Sequence, residues 1–155
     1  MIEMHEMLSR ERVVCGLKTK SKRQTLQELA QLAAADAGLD ATRLFDALME
    51  RERLGTTGVG SGIAIPHAKL GELDRVVGVF ARLDRPVDFD SLDDEPVDLV
   101  FLLLAPDGSG ADHLKALARV ARMLRDPGLC DRLRGLKDSD AIFRLLTEKP
   151  ESHAA

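Results

Sequence analysis

In Leu48-Met49-Glu50-Arg51-Glu52-Arg53-Leu54-Gly55-Thr56-Thr57-Gly58-Val59-Gly60-Ser61-Gly62-Ile63-Ala64-Ile65-Pro66-His67-Ala68-Lys69, a helical pattern gives way to a glycine-rich loop and then to a short apolar strand. Four glycines in the eight residues 55–62 forbid a stable helix and admit backbone geometries closed to other residues. Ile63-Ala64-Ile65 reads as a strand that Pro66 stops, because proline fixes φ and has no N–H to donate. His67 therefore stands at a strand end, directly after a rigid residue.

Upstream of this stretch, Leu26, Leu29, Ala30, Ala33 and Ala37 recur at the spacing of one helical face, with Lys22, Arg23, Gln27 and Gln31 opposite. The pattern predicts a helix over 21–37, begun by Ser21 or Thr25 and stopped by Gly38. A second helix is predicted over 42–53 on Leu44, Phe45 and Leu48, ended by Gly55, with Glu52 and Arg53 as ordinary surface charge. Residues 12–17 form a short β-like stretch. Downstream, 76–83 is β-rich and 97–104 is almost continuously apolar. Continuous rather than alternating hydrophobicity marks a strand covered on both faces, so helices are expected on both sides of the sheet.

A third helix is predicted over 111–125, capped by Ser109 or Asp112. Its inward stripe is His113, Leu117, Val120 and Leu124, with Ala116 beside it, and Asp126-Pro127-Gly128 breaks it. Short helices over 129–134 and 139–147 precede a polar tail from Glu148. The expectation is one free-standing domain over 1–155 with its core at about 7–147, of α/β or α+β class with a mixed sheet.

Composition excludes several classes. A net charge of −4 leaves no basic excess for binding a phosphate backbone, and five Phe with no Trp or Tyr supply few stacking platforms, so no nucleic-acid partner is expected. The longest apolar run, 99–105, has seven residues where a membrane span needs about 20, so no membrane insertion is expected. Cys15 and Cys130 show no CxxC spacing, and the first dozen residues lack the apolar core of a signal peptide, which predicts a reduced, cytoplasmic protein.

Of the four histidines, His5 and His153 lie near the termini and read as incidental. A nucleophilic imidazole needs one nitrogen free and the other tied as N–H to an acceptor, commonly a backbone carbonyl, and a strand end supplies that orientation. Position alone leaves a structural and a chemical role equally open at His67. His113, taken alone, reads as a satisfied core histidine, although its place near a helix start suits an anion. Arg51, taken alone, reads as a solvated helix-face residue. Together the two histidines and a glycine loop able to fold its N–H groups around an oxyanion suggest a phosphate-sized anion site. No Gly-Lys-Ser/Thr follows the loop, its glycines precede a strand rather than a helix, and neither HExxH nor G-x-S-x-G occurs.

The stretch 48–69 resembles the active-site signature of the phosphotransferase-system IIA domains of fructose/mannitol type, in its arginine, glycine loop, Pro-His pair and spacing. The resemblance extends over about 7–146. Pro86-Val87-Asp88-Phe89-Asp90 and Pro96-Val97-Asp98-Leu99-Val100 are similar to the nitrogen-regulatory branch. It implies a mixed five-stranded β-sheet sandwiched between helices. It also implies that His67 carries a phosphoryl group on Nε2, that His113 helps to hold the phosphoryl oxygens, and that Arg51 lies near the site. Gly58, Gly60, Ser61 and Gly62 would form the phosphoryl-binding loop. The implied donor is a histidine-phosphorylated HPr-like carrier or its nitrogen-branch relative, fed from phosphoenolpyruvate by an enzyme I. The implied targets are regulated proteins such as a kinase, a transporter or a metabolic enzyme. Such a transfer passes through a loose transition state that rewards positioning and charge, and it calls for no metal or cofactor. An apolar rim of Val59, Ile63 and Leu114 would suit docking of the carrier. Two alternatives stay open: a sugar-transport IIA component handing phosphoryl to a IIB domain, and a binding module that transfers nothing.

Overall fold

Val97 and the run from Leu99 to Ala105 are each no more than 1% exposed, and they make up most of strand β6 (Val97–Pro106). The computed structural model describes residues 3–108 and 110–148. Around β6 it assembles β1 (Val13–Leu17), β2 (Gly58–Gly60), β3 (Ile63–Ala64), β4 (His67–Leu70) and β5 (Val77–Val87) into one sheet of order β1-β5-β6-β3-β2, with β4 also on β6. The sheet is mixed: β5 runs antiparallel to β6, whereas β1 is parallel to β5 and both β3 and β4 are parallel to β6.

β3 and β4 occupy one edge of β6 in succession. Ile63 and Ala64 face Leu99 and Val100, and His67 to Leu70 face Leu103 to Pro106. Pro66 interrupts them because it has no N–H, yet its carbonyl still accepts from the Leu103 N–H at 2.9 Å. The six segments thus fill five strand positions, and the mixed five-stranded sheet between helices is met.

Alternate residues of β6 point to opposite faces, and each face meets its own helices. Leu99, Phe101 and Leu103 pack with residues of α1 (Met4–Met7), α4 (Gly110–Leu124), α5 (Pro127–Gly135) and α6 (Ser139–Thr147). Val100, Leu102 and Leu104 pack with α2 (Lys22–Ala37) and α3 (Ala41–Leu54). This is the two-sided cover that an unbroken apolar strand requires. Ser21 caps α2 by accepting from the Gln24 N–H, and Gly38 ends that helix in the left-handed region at φ 71°.

Two boundaries differ from expectation for capping reasons. Asp40 accepts from Thr42 and Arg43 N–H and starts α3 at Ala41. Asp126 accepts from Gly128 and Leu129 N–H, and Pro127 sits at the first helical position, where a missing N–H costs nothing. Asp126-Pro127 therefore begins α5 as well as ending α4. The expected cap Ser109, His153 and the tail from 149 onward lie outside the described residues. Among the described residues, no helix is long and apolar enough to cross a membrane.

Candidate functional site

The last turn of α3, the start of β4 and the first turn of α4 meet at one corner of the sheet. There Arg51, His67 and His113 line a shallow cleft of about 540 Å³, together with Ala47, Leu54 and Leu114. The two imidazole rings lie 5.5 Å apart between centroids, tilted by 57°. His67 is half-buried, while His113 is only 7% exposed on the inward stripe of α4 with Ala116, Val120 and Leu124.

The partners of His67 define its tautomer. Its Nδ1 lies 2.8 Å from the Ile65 carbonyl oxygen, which can only accept, so Nδ1 carries the proton. Its Nε2 lies 3.1 Å from the Arg51 Nε–H, which can only donate, so Nε2 presents its lone pair. The ring is thus neutral and Nδ1-protonated, with the nucleophilic nitrogen turned to the cleft. Arg51 also donates to the Gly55 carbonyl at 2.8 Å, which ties its guanidinium to the end of α3.

Burial lowers the pKa of His67 below its ordinary 6.5 by penalising the imidazolium; the Ile65 carbonyl opposes this, the Arg51 charge adds to it and the Glu52 charge opposes it. His113 is likewise lowered, first by burial and then by His67 and Lys69. Both rings are therefore neutral at pH 7. Lys69 and Glu50 line the same cleft beside Arg51, and with Glu50 paired to Arg53 the two cations are a suitable setting for a phosphoryl dianion.

The glycine loop has a different task from the expected cradle. Ser61 and Gly62 have φ of 57° and 80°, which is the pattern of a two-residue hairpin turn joining β2 to β3. A side chain at Gly62 would strike the guanidinium of Arg134 and the carboxylate of Asp98, which are themselves paired at 2.9 Å. The Gly62 carbonyl accepts from Asp98 and Leu99, while His67 faces Leu103. Four residues of strand, roughly 13 Å, thus separate the tip from the histidine. The Ser61 N–H donates to Asp93 at 2.9 Å, and the Gly58 N–H donates to the Thr56 hydroxyl at 3.0 Å. Gly60 and Ser61 line a separate cavity of about 410 Å³ against α5. The structure brings Arg51, His67 and His113 together and leaves Gly60, Ser61 and Gly62 away from them. Of the expected rim, Leu114 lines the histidine cleft and is 67% exposed, whereas Val59 is exposed at the separate cavity beside Gly60 and Ile63 is core at 4%.

Glu52 is a correction to the expectation of surface charge. It is only 8% exposed and takes Lys22 Nζ at 2.6 Å, the Thr57 N–H at 3.3 Å and the Thr57 hydroxyl in a short contact. A signal was present: Glu52 follows Leu44 and Leu48 at intervals of four on the buried stripe of α3.

Residues 6–149 match the family described as the phosphoenolpyruvate-dependent sugar phosphotransferase system, EIIA 2. A nitrogen regulatory protein of Bradyrhizobium diazoefficiens is 53% identical over 149 residues, covering 96% of this chain and 97% of that protein. The fructose-specific EIIA component of Haloferax volcanii is 39% identical over 120 residues, 76% of this chain and 78% of that one. The crystal structure of the nitrogen regulatory protein IIA-Ntr from Neisseria meningitidis superposes with a TM-score of 0.87 at 31% identity, covering 92% of this chain and 97% of that one.

Proposed function

The chain belongs to the EIIA type-2 family of the phosphoenolpyruvate-dependent sugar phosphotransferase system, and we propose that it is a phosphocarrier of the nitrogen-regulatory kind whose acceptor is Nε2 of His67. The donor is a histidine-phosphorylated HPr-like carrier, and the phosphorylation state of His67 controls other proteins. The observation that carries this reading is the pair of hydrogen bonds on the His67 ring, Nδ1–H to Ile65 and Arg51 to Nε2. They prepare a neutral nucleophile with one defined attacking atom.

In the transfer, the N–P bond to the donor ring breaks as a bond to Nε2 forms. The Arg51 N–H that occupies Nε2 in the free protein turns to the phosphoryl oxygens, and His113 holds them from α4. Nδ1 keeps its proton, and the Ile65 carbonyl stabilises the positive charge the ring acquires. The protein's part is positioning and charge stabilisation.

Incubation with enzyme I, HPr and labelled phosphoenolpyruvate is expected to give an acid-labile phosphoprotein, and His67→Ala to abolish the label. Normal labelling of His67→Ala overturns the assignment. The similarity to a fructose-specific component favours one second reading, transfer onward to a sugar-specific IIB domain. Sugar uptake restored by this protein with a purified IIB and its membrane partner would decide for it.

A further inference from the structure

Lys22 is the first residue of α2, where the helix dipole disfavours a cation. Its partner explains the placement. The ammonium pairs with the buried Glu52 carboxylate at 2.6 Å, lies 3.4 Å from the Phe89 carbonyl, and sits 5.7 Å over the Phe89 ring. A carboxylate at this depth persists only when its charge and its lone pairs are met, and Lys22 and Thr57 meet them. Thr57 is itself 3% exposed.

From Thr57 a chain of hydrogen bonds leads to the nucleophile. Glu52 accepts from both the N–H and the hydroxyl of Thr57. The Thr57 carbonyl accepts from the Ile65 N–H at 3.0 Å. The Ile65 carbonyl accepts from His67 Nδ1–H at 2.8 Å. Ile65 precedes Pro66, which restricts it to extended backbone, so anchoring its N–H also aims its carbonyl. One helix end therefore addresses both ring nitrogens: Arg51 meets Nε2 directly, and its neighbour Glu52 reaches Nδ1 through the loop.

We propose that Glu52 is a positioning residue for phosphoryl transfer, acting on the His67 ring through Thr57 and Ile65 and held in place by its ion pair with Lys22. The proposal rests on His67 being the acceptor. During transfer no proton moves along the chain: Nδ1 keeps its hydrogen while the N–P bond to the donor breaks and that to Nε2 forms. Holding the Ile65 carbonyl in line is what keeps Nε2, and not Nδ1, facing the cleft. The Coulombic pull of Glu52, which favours positive charge on His67, acts in the same direction as the ring charges.

The test combines ring ¹⁵N spectra of the unphosphorylated protein with the rate of label transfer from phosphorylated HPr. In Glu52→Gln, where Lys22 keeps Asp90 at 3.7 Å, and in Lys22→Met/Glu52→Gln, which removes both members of the pair, His67 is expected to pass from the single Nδ1–H tautomer to a mixture. The rate at saturating HPr is expected to fall about 10- to 100-fold, the scale of a misplaced reacting group, with the half-saturating HPr concentration changed less than about twofold. Thr57→Val is expected to do the same more weakly. Folded variants that keep the tautomer, or that lose it without slowing transfer, overturn the proposal. The tautomer is read without any transfer, so a protein that takes no label, or whose His67→Ala variant still takes it, overturns the acceptor assignment instead.

Discussion

Along β6 the side chains from Leu99 to Ala105 are closed to solvent and wholly apolar, and two helical layers press on them from opposite faces. Along the edge beside that strand, His67 faces Leu103 in register but shares a cleft with Arg51, His113 and Lys69, and the buried Glu52 is tied to it through Thr57 and Ile65. The two regions touch through the backbone ladder and obey different physics. The centre is held by removal of apolar area from water, which is non-directional and tolerant of exchange among similar side chains. The edge is held by short chains of directional bonds, each of which aims a particular atom. Stability is therefore concentrated in the first region and chemistry in the second.

Substitutions can break that division or sharpen it. The largest effect is expected for Leu102→Ala, which empties volume at a position of no measurable exposure and should cost about 2–5 kcal/mol by urea unfolding. The folded fraction should still accept phosphoryl at the normal rate. A loss of rate without a loss of stability would break the division. Next comes Arg51→Met, which keeps the aliphatic stem and removes the donor to Nε2. Transfer is expected to slow about 100-fold, or about 2.7 kcal/mol of barrier. Unfolding free energy should change by less than about 1 kcal/mol, since the lost contacts are partly solvated.

The smallest effect is on pH. Both histidines have folded pKa values below their ordinary 6.5, so the unfolded chain binds more protons near that pH, and stability rises with pH there. Urea midpoints are expected to be level above about pH 7 and to decline as pH falls through 6.5 and below, as the two rings are forced to charge. His113→Gln should flatten the decline. The transfer rate should follow the same direction, because protonation removes the lone pair on Nε2.

Much of the centre was legible because it depends on local periodicity. The unbroken apolar run of β6, the i, i+3, i+4 stripes of α2 and α4 and the Ser21 and Gly38 boundaries all use contacts within a few residues. The position of His67 after Ile65-Pro66 suited a ring nitrogen tied to a backbone carbonyl, and the structure makes that bond locally, from Nδ1 to Ile65 two residues back. The rest of the edge depends on partners far apart in sequence. Asp93 reaches Ser61 across 32 residues, Arg134 reaches Asp98 across 36, and Lys22 meets Glu52 from another helix. A glycine-rich segment offers both a nest and a hairpin, and the hairpin found here is contacted at its tip by Arg134 and Asp93, far away in sequence. Glu52 was hidden among the alternating charges of Glu50-Arg51-Glu52-Arg53, although its phase with Leu44 and Leu48 marked it as inward.

The most direct test of the acceptor assignment is ³¹P–¹⁵N correlation spectroscopy of the protein phosphorylated through enzyme I and HPr. The account predicts a single phosphoryl group coupled to Nε2 of His67, with Nδ1 still bearing its proton. Phosphorus coupled to Nδ1 of that ring, or to His113, would contradict it.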